Sequence, residues 1–305
     1  MENVLLILAY MLIGLVLKRT GQMPEQTGPV LNQYVINVAV PAMILLHLPQ
    51  LEVSTAVLTP ALMPWFMFAL AVSLVLLSSR LLGWSRELTA ALLIIVPLGN
   101  TSFVGFPMVE AMYGSDGLPY AVIYDQLGSF ITLAVFATTI AAIYGRNGEA
   151  RPSGLSLIKK LLFFPPVLGL LAAIFFGQTD YPGLLQPLIE NLASTLVPVV
   201  MVSVGFQLHF KIPRHDIQPF AIGLSIKLLV LPAVALMTLA SLGITDLAAK
   251  VSVLEAAMPP MITAGALAMS AGLRPALVAS MVGYGIILGM LTLPAWAWFT
   301  QVILA

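Results

Sequence analysis

Long apolar runs, separated by short polar turns, fill the chain from end to end. A helix needs roughly 20 residues to cross a bilayer, and ten runs approach or exceed that length: 2–18, 30–48, 58–82, 87–113, 117–145, 157–177, 185–209, 217–243, 246–272 and 275–304. The segments between them are rich in Gly, Pro, Ser, Asn and Asp, which is typical of turns. The pattern predicts an all-α membrane protein with ten transmembrane helices.

The fourth run is apolar enough to cross a bilayer but is interrupted in its middle. Within eleven residues it holds six that disfavour or restart a helix: Pro97, Gly99, Asn100, Thr101, Gly105 and Pro107. Proline removes a backbone donor and clashes with the preceding turn. Unwound backbone inside hydrocarbon persists only where protein or a water-filled cavity satisfies it. The break is therefore a candidate substrate site.

The ninth run repeats this interruption. Aligning Glu87-Leu88 with Asp246-Leu247 sets Pro259 opposite Asn100. Broken helices at corresponding positions of two halves are the usual sequence indication of a secondary transporter's binding site. We therefore expect broken helices 4 and 9 to cross.

Composition narrows the class of protein. Only 9% of the residues are charged and 60% are hydrophobic, with a mean hydropathy of +1.01. The net charge of zero gives no electrostatic reason to bind nucleic acid. The chain has no cysteine, which excludes disulfides and thiol chemistry. The first run lacks a basic segment before it and a cleavage site after it, so it is interpreted as a span rather than a removable signal.

Basic residues fall almost entirely on one side of the ten predicted spans. The side with the first loop collects eleven of the 13: Lys18, Arg19, Arg80, Arg86, Arg146, Arg151, Lys159, Lys160, Lys211, Arg214 and Arg274. The other side has only Lys250, and Lys227 lies within a span. By the positive-inside rule the first side is cytoplasmic. Both termini are then extracytoplasmic, in a protein of the cytoplasmic (inner) membrane.

Five spans per half require the second half to be inverted relative to the first. The predicted repeats are residues 1–147 and 153–305, joined by a short polar link. The predicted fold class is thus an all-α membrane protein built from two inverted five-helix repeats.

The residues at the two breaks carry a family resemblance. Asn100-Thr101 followed by Gly105-Phe106-Pro107 resembles the fourth-helix motif of the auxin efflux carrier family, and EAAMP at 255–259 resembles its ninth-helix crossover. GMLTLP at 289–294 and the segment 31–46 with Pro41 are similar to its last and second helices. The resemblance covers the whole chain, and the short central link is similar to that of prokaryotic members.

The resemblance implies an arrangement and a substrate class. Helices 1, 2, 6 and 7 would form a scaffold, and helices 3–5 and 8–10 a mobile transport domain. A homodimer is implied, as are organic anions as substrates. For prokaryotic members, dicarboxylates such as malate or malonate are typical assignments, whereas auxin is that of the plant carriers.

Polar side chains stand where each broken helix is expected to resume. Side-chain oxygens of Asn, Thr and Ser cap helix starts, and each start carries partial positive charge. Two starts meeting in mid-membrane would bind an anion without an arginine; alternatively, these residues only cap the breaks. The predicted substrate-binding residues here are Asn100, Thr101, Ser102, Pro107, Pro259, Pro260 and Thr263.

Charge within a membrane span is costly and usually functional, and three charged residues of the predicted spans are candidates for a role: Lys227, Glu255 and Asp125. Lys227 could neutralise a substrate carboxylate or pair with Glu255 or Asp125. Glu255 could bind a sodium ion together with carbonyls freed at the break, carry a coupled proton, or be the structural partner of Lys227. We predict Glu255 and Asp125 as ion-coupling residues, with sodium and proton both open and no other cofactor.

Asn37 in span 2 and Gln207 in span 7 are further candidates. They could line the cavity opposite the crossover and contact substrate, as Lys227 could. The alternative is that each only bonds a neighbouring helix, which contributes about 0.6 kcal/mol on average.

Other functional classes have weaker support. VGYG at 282–285 resembles part of a potassium filter, but it lies inside a span rather than in a re-entrant loop. Gly285 and Gly289 form a GxxxG step suited to close helix packing. No hydrolase or zinc-protease motif is present, so we do not expect an enzyme. The sequence predicts a secondary transporter of a small organic anion, the alternative being a ligand-binding sensor or channel.

Overall fold

The structure is a computed structural model that describes residues 2–51, 54–145, 159, 162–177, 181–210 and 212–305. All regular elements within these ranges are helices. The central link, 146–156, lies outside the described residues, as do Arg146, Arg151, Lys160 and Lys211, on which part of the predicted orientation depends.

Seven helices of the described chain are long and apolar enough to cross a membrane. They are α1 (Glu2–Thr20), α2 (Thr27–Gln50), α3 (Thr55–Leu82), α6 (Ser115–Tyr144), α8 (Leu185–Gln207), α9 (Arg214–Ser241) and α12 (Pro275–Ile303). Each coincides with an unbroken predicted span to within about three residues at either end. The all-α, multi-pass character of the chain is confirmed.

The other helices are shorter. The fourth predicted span is α4 (Arg86–Ile95) and α5, which begins with a π-helical turn at Thr101–Gly105 and continues as Phe106–Tyr113. The ninth is α10 (Leu247–Ala256) and α11 (Ile262–Ser270), and the sixth is α7 (Pro165–Phe176). At 1.5 Å per residue none of these pieces spans a hydrocarbon core of about 30 Å. The count of ten spans therefore stays a prediction.

The two broken helices lie at the centre of the molecule. Residues 90–100 and 251–262 are buried without exception. Around them α10 packs on α3, α6 and α12, and α4 packs on α3 and α11. A backbone break is tolerated here because the residues around it are buried against other helices.

A separate close contact joins α1 to α8. A Cβ added to Gly14 would lie 2.0 Å from the Val202 carbonyl oxygen, and one added to Gly205 would lie 2.0 Å from that of Met11. Only glycine allows the two backbones to approach so closely. In the same way α7 meets α2 where Gly169 lies against Pro41.

Candidate functional site

The two helix breaks are hydrogen-bonded to each other through their backbones. The Asn100 N–H donates to the Pro259 carbonyl oxygen at 2.8 Å, and the Met261 N–H donates to the Leu98 carbonyl oxygen at 3.0 Å. Gly99 and Pro260 face each other between these bonds in an antiparallel bridge. Each unwound segment thus satisfies buried polar groups of the other, as buried backbone requires. The sequence alignment had set Pro259 opposite Asn100, and the two residues are bonded.

The second half of the first broken helix starts without a side-chain cap. Asn100 is 2% exposed, and its Nδ2 has no hydrogen-bond partner in the described chain. Its carbonyl oxygen accepts from the N–H groups of Val104 and Gly105. The Gly105 bond spans five residues and makes the first turn π-helical, a geometry frequent at functional sites. The capping role considered for Asn100 is therefore not observed, and the side-chain amide is a free donor.

Thr101 and Ser102 bond to an acidic side chain instead of capping the helix. Asp125, on α6 and 2% exposed, accepts from the hydroxyl groups of Thr101 and Ser102 through Oδ1, the latter at 2.6 Å. Its Oδ2 accepts from Gln126 Nε2 at 2.7 Å. All three partners donate, so the arrangement suits an ionised carboxylate. Asp125 begins a π-helical turn of its own at Asp125–Ser129.

A cavity of about 150 Å³ lies beside the crossover. Its polar lining comes from Asn100, Ser102, Asp125 and Thr263, the last at an exposed position. The rest of the lining is apolar: Ile36, Val40, Phe103, Phe130, Leu133, Phe164, Pro166 and Met261. An apolar chamber with a few convergent polar groups is the usual form of a small-molecule site.

A second, much smaller chamber lies on the other side of the first break. It has a volume of about 10 Å³, which is roughly the space of one water molecule. Glu255 and Lys227 line it together with Thr101, Tyr124, Ser129 and Thr132. Neither carboxylate oxygen of Glu255 has a hydrogen-bond partner within the described residues. Lys227 Nζ donates to the Ala256 carbonyl oxygen at 3.4 Å, at the C-terminus of α10.

The predicted pairing of Lys227 with Glu255 or Asp125 is observed only in part. Lys227 and Glu255 share the small chamber, but in the described chain no ion pair within 4.0 Å joins Lys227 to Glu255 or to Asp125. The two glycines of the break make room for both charges. Gly99 lies against Lys227 Nζ, and Gly105 lies against the Glu255 carboxylate.

The proline residues of the crossover do not line the 150 Å³ cavity. Pro260 and Pro259 pack on α12, where Gly285 and Gly289 leave space for their rings. The predicted GxxxG step, Gly285 and Gly289, thus packs against the two proline rings. Pro107 lines a different cavity, of about 530 Å³, together with Glu110 and Glu190.

Asn37 and Gln207 also lie away from this cavity. Asn37 is exposed, and its Nδ2 donates to the Gln33 carbonyl oxygen one turn earlier on α2. Gln207 bonds Ser203 and Asn32 and lines a cavity of about 790 Å³ near Lys18. For Gln207, the interpretation as a helix-bonding residue fits its contacts, and Asn37 does not line the cavity beside the crossover.

Sequence comparison provides independent information. The family model described as "Membrane transport protein" matches residues 1–297. An uncharacterized transporter of Methanothermobacter thermautotrophicus is 30% identical over 300 residues, which cover 97% of each chain. An uncharacterized transporter of Methanocaldococcus jannaschii is 27% identical over 307 residues, which cover 98% of each.

Proposed function

The chain belongs to the membrane transport protein family, which is auxin efflux carrier-like, and on this premise we propose that it is a secondary transporter of a small organic anion. The substrate would be a mono- or dicarboxylate of the malate or malonate type, or an auxin-like acid. It would cross the cytoplasmic membrane by alternating access.

One observation carries the proposal: a buried, unpartnered amide donor points to a site for a substrate oxygen. Asn100 Nδ2 has no partner in the described chain, and Asn100 lines the 150 Å³ cavity beside the crossover. A buried donor left unsatisfied costs about 1–3 kcal/mol. A carboxylate oxygen bound there would remove that cost. The start of α5 adds partial positive charge at the same place.

Three cavities support a division into two moving parts. The 530 Å³ cavity lies between α1, α2 and α8 on one side and α5 and α6 on the other. The 790 Å³ cavity lies between α1, α2 and α8 and the pair α11 and α12. The 150 Å³ cavity lies between α2 and α7 and the crossover. All three follow one boundary, between the predicted scaffold (α1, α2, α7, α8) and the predicted transport domain (α3–α6, α9–α12). We propose an elevator-like movement along it.

The proposed topology has ten spans. Three spans are added to the seven long helices: one formed by α4 and α5, one by α7, and one by α10 and α11. The ten spans would form two inverted repeats, with both termini extracytoplasmic. The basic residues along the sequence support this orientation. We also propose that the protein forms a homodimer in the lipid bilayer, because the family resemblance implies one.

Coupling to an ion is proposed at the buried carboxylates. The two candidates are Glu255, both of whose carboxylate oxygens lack a hydrogen-bond partner among the described residues, and Asp125, which lines the substrate cavity. A sodium ion or a proton at either would lower the cost of a buried negative charge.

A ligand screen tests the proposal. The purified protein is heated with a panel of carboxylates, with and without sodium, at two pH values. We expect malate or malonate to raise the melting temperature of the wild type. Asn100→Ala should lose more than tenfold in affinity, because a hydrogen bond to a charged group contributes about 1.5–3 kcal/mol. The matched control is Asn191→Ala, since Asn191 is exposed and lines none of the three cavities. No stabilisation by any carboxylate would overturn the assignment of substrate class.

A further inference from the structure

The substrate cavity is lined by a negatively charged side chain, which would repel an anion that binds by itself. Among the described residues that line it, Asp125 is the sole charged side chain, and none is Lys, Arg or His. An anion entering this cavity would meet a buried carboxylate with no compensating cation in its lining. Two carboxylates at close range cannot both stay ionised at low cost, and they commonly share one proton.

Asp125 has room for one more donor. Its Oδ1 already accepts two hydroxyl groups, whereas Oδ2 accepts only from Gln126 Nε2 among the residues that the structure describes. A carboxylate oxygen can accept two hydrogen bonds, so one position on Oδ2 is open with respect to these residues. Asn100 supplies the complementary group, a donor without an acceptor in the described part of the chain. The cavity therefore matches a ligand that offers one acceptor and one donor, as a protonated carboxyl does.

The surrounding charges do not replace that proton. α2 and α7, which line the cavity opposite Asp125, contribute Ile36, Val40, Phe164 and Pro166 to it, and the segment at the start of α11 contributes Met261 and Thr263. None of these is titratable. Glu255 of α10, Lys227 of α9 and Tyr124 of α6 are the nearby titratable groups, and they line the separate 10 Å³ chamber.

A sodium ion fits this corner less well than a proton. Hard cations need several oxygen ligands at once. The Asn100 carbonyl oxygen at the crossover already accepts two backbone hydrogen bonds, and those of Leu98 and Pro259 accept one each, which leaves few free oxygen lone pairs for a cation. One open position on Asp125 is suited to a single O–H donor.

We propose that this cavity binds a carboxylate together with one proton, which is shared between the substrate carboxyl and Asp125. The inference rests on the proposed function and deepens it by naming the co-substrate and its position. When the anion binds, one O–H bond of a hydronium ion breaks as one O–H bond forms to the substrate carboxyl or Asp125, and on release the proton leaves with the substrate or returns to water. No other bond is made or broken. Asp125 is then the residue that links anion binding to the proton gradient.

The affinity for malate as a function of pH tests this inference. Between about pH 6.5 and 8.5 malate stays doubly ionised, so a change in affinity reports on the protein. If binding takes up one proton that the free site has lost, the affinity should fall roughly tenfold for each unit of rising pH. Asp125→Asn carries no charge, and its affinity should be independent of pH. Asp116→Asn makes the same change at an exposed position of the same helix and should retain the wild-type slope.

A second measurement needs no variant. Malate added to the wild type in weakly buffered solution should remove one proton from solution for each molecule bound, as followed with a pH indicator. This result holds even if Asp125→Asn does not fold.

Each contrary outcome has a distinct meaning. Malate binding that is independent of pH, or that strengthens with sodium at fixed pH, would overturn the shared proton and leave the anion transporter intact. A slope abolished by Glu255→Gln and retained by Asp125→Asn would move the proton to Glu255 and also overturn it. Binding of a zwitterion such as glycine, without binding of malate or malonate, would overturn the proposed function itself.

Discussion

Asn100 and Asp125 lie on different helices, and together they provide polar groups of the 150 Å³ cavity. Asp125 takes up the hydroxyl groups of Thr101 and Ser102, which leaves the Asn100 amide as the free donor of the cavity. Two unit charges about 5 Å apart interact by about 3 kcal/mol at an effective dielectric constant of about 20. An unprotonated Asp125 would therefore offset the whole of the about 1.5–3 kcal/mol that the Asn100 hydrogen bond contributes.

The sequence identified these residues by type and position in the breaks, but not their partners. An intramembrane carboxylate is conspicuous in an apolar run, as is an Asn between Pro and Gly. Which hydroxyl bonds which carboxylate depends on α6 packing beside α5, and a single sequence carries no signal for that. Asn37 is polar in the same way, but it is exposed and does not line the 150 Å³ cavity.

Gly105 should be required for the position of Glu255. A Cβ at Gly105 would lie 2.6 Å and 2.7 Å from the two carboxylate oxygens of Glu255. We expect Gly105→Ala to lower the free energy of unfolding by about 1–3 kcal/mol, the usual cost of overpacking. Thermal unfolding in detergent measures this.

Gly183→Ala is the control for that substitution, because a Cβ there meets no atom within 4 Å. The double variant Gly105→Ala/Glu255→Ala should be less destabilised than the sum of its single changes, since the clash is then absent. Equal stability of Gly105→Ala and Gly183→Ala would contradict the described position of Glu255.

At the scale of elements, the breaks are the feature that the sequence predicted best. Pro97, Pro259 and Pro260 cannot donate, so the two segments had to unwind, and unwound backbone in an apolar interior had to find a partner. The π-helical turns at Thr101–Gly105, Asp125–Ser129 and Ile226–Val230 were not predicted. They carry the site residues Thr101, Asp125 and Lys227. Hydrophobic periodicity changes little over one wide turn, which leaves no clear signal.

The contact of α1 with α8 should determine stability without affecting the substrate site. A Cβ at Gly205 would lie 2.0 Å from the Met11 carbonyl oxygen, which is backbone and cannot move aside as a side chain would. We expect Gly205→Ala to lower the melting temperature and the yield of folded protein, whereas the folded fraction should bind malate with wild-type affinity. A melting temperature equal to that of Gly183→Ala would mean that the two helices are not packed this closely.

At the scale of the whole molecule, the resemblance to auxin efflux carriers is confirmed by the family match over residues 1–297. The all-helical, multi-pass character is confirmed too. Helix length alone identifies seven spans in the described chain, because a broken helix would cross the membrane as two short pieces and neither piece reaches 18 residues.

Orientation gives a whole-molecule prediction. Eleven of the 13 basic residues belong to one side of a ten-span chain, so both termini should be extracytoplasmic. Reporter fusions measure this: a reporter at either terminus should report the outside, and one at Gly148, outside the described residues, should report the cytoplasm. Termini on opposite sides would mean an odd number of spans and would remove the inverted repeat.

Counterflow of malate in proteoliposomes tests the account most directly. Vesicles loaded with unlabelled malate should transiently accumulate external labelled malate when they contain the wild type or Asn191→Ala. Asn100→Ala should accumulate less than a tenth as much at subsaturating malate, because the lost hydrogen bond is worth about 1.5–3 kcal/mol. Malate that binds the protein but is not accumulated by wild-type vesicles would contradict transport and indicate a sensor. Equal accumulation by Asn100→Ala and the wild type would show that the anion crosses elsewhere than at the crossover.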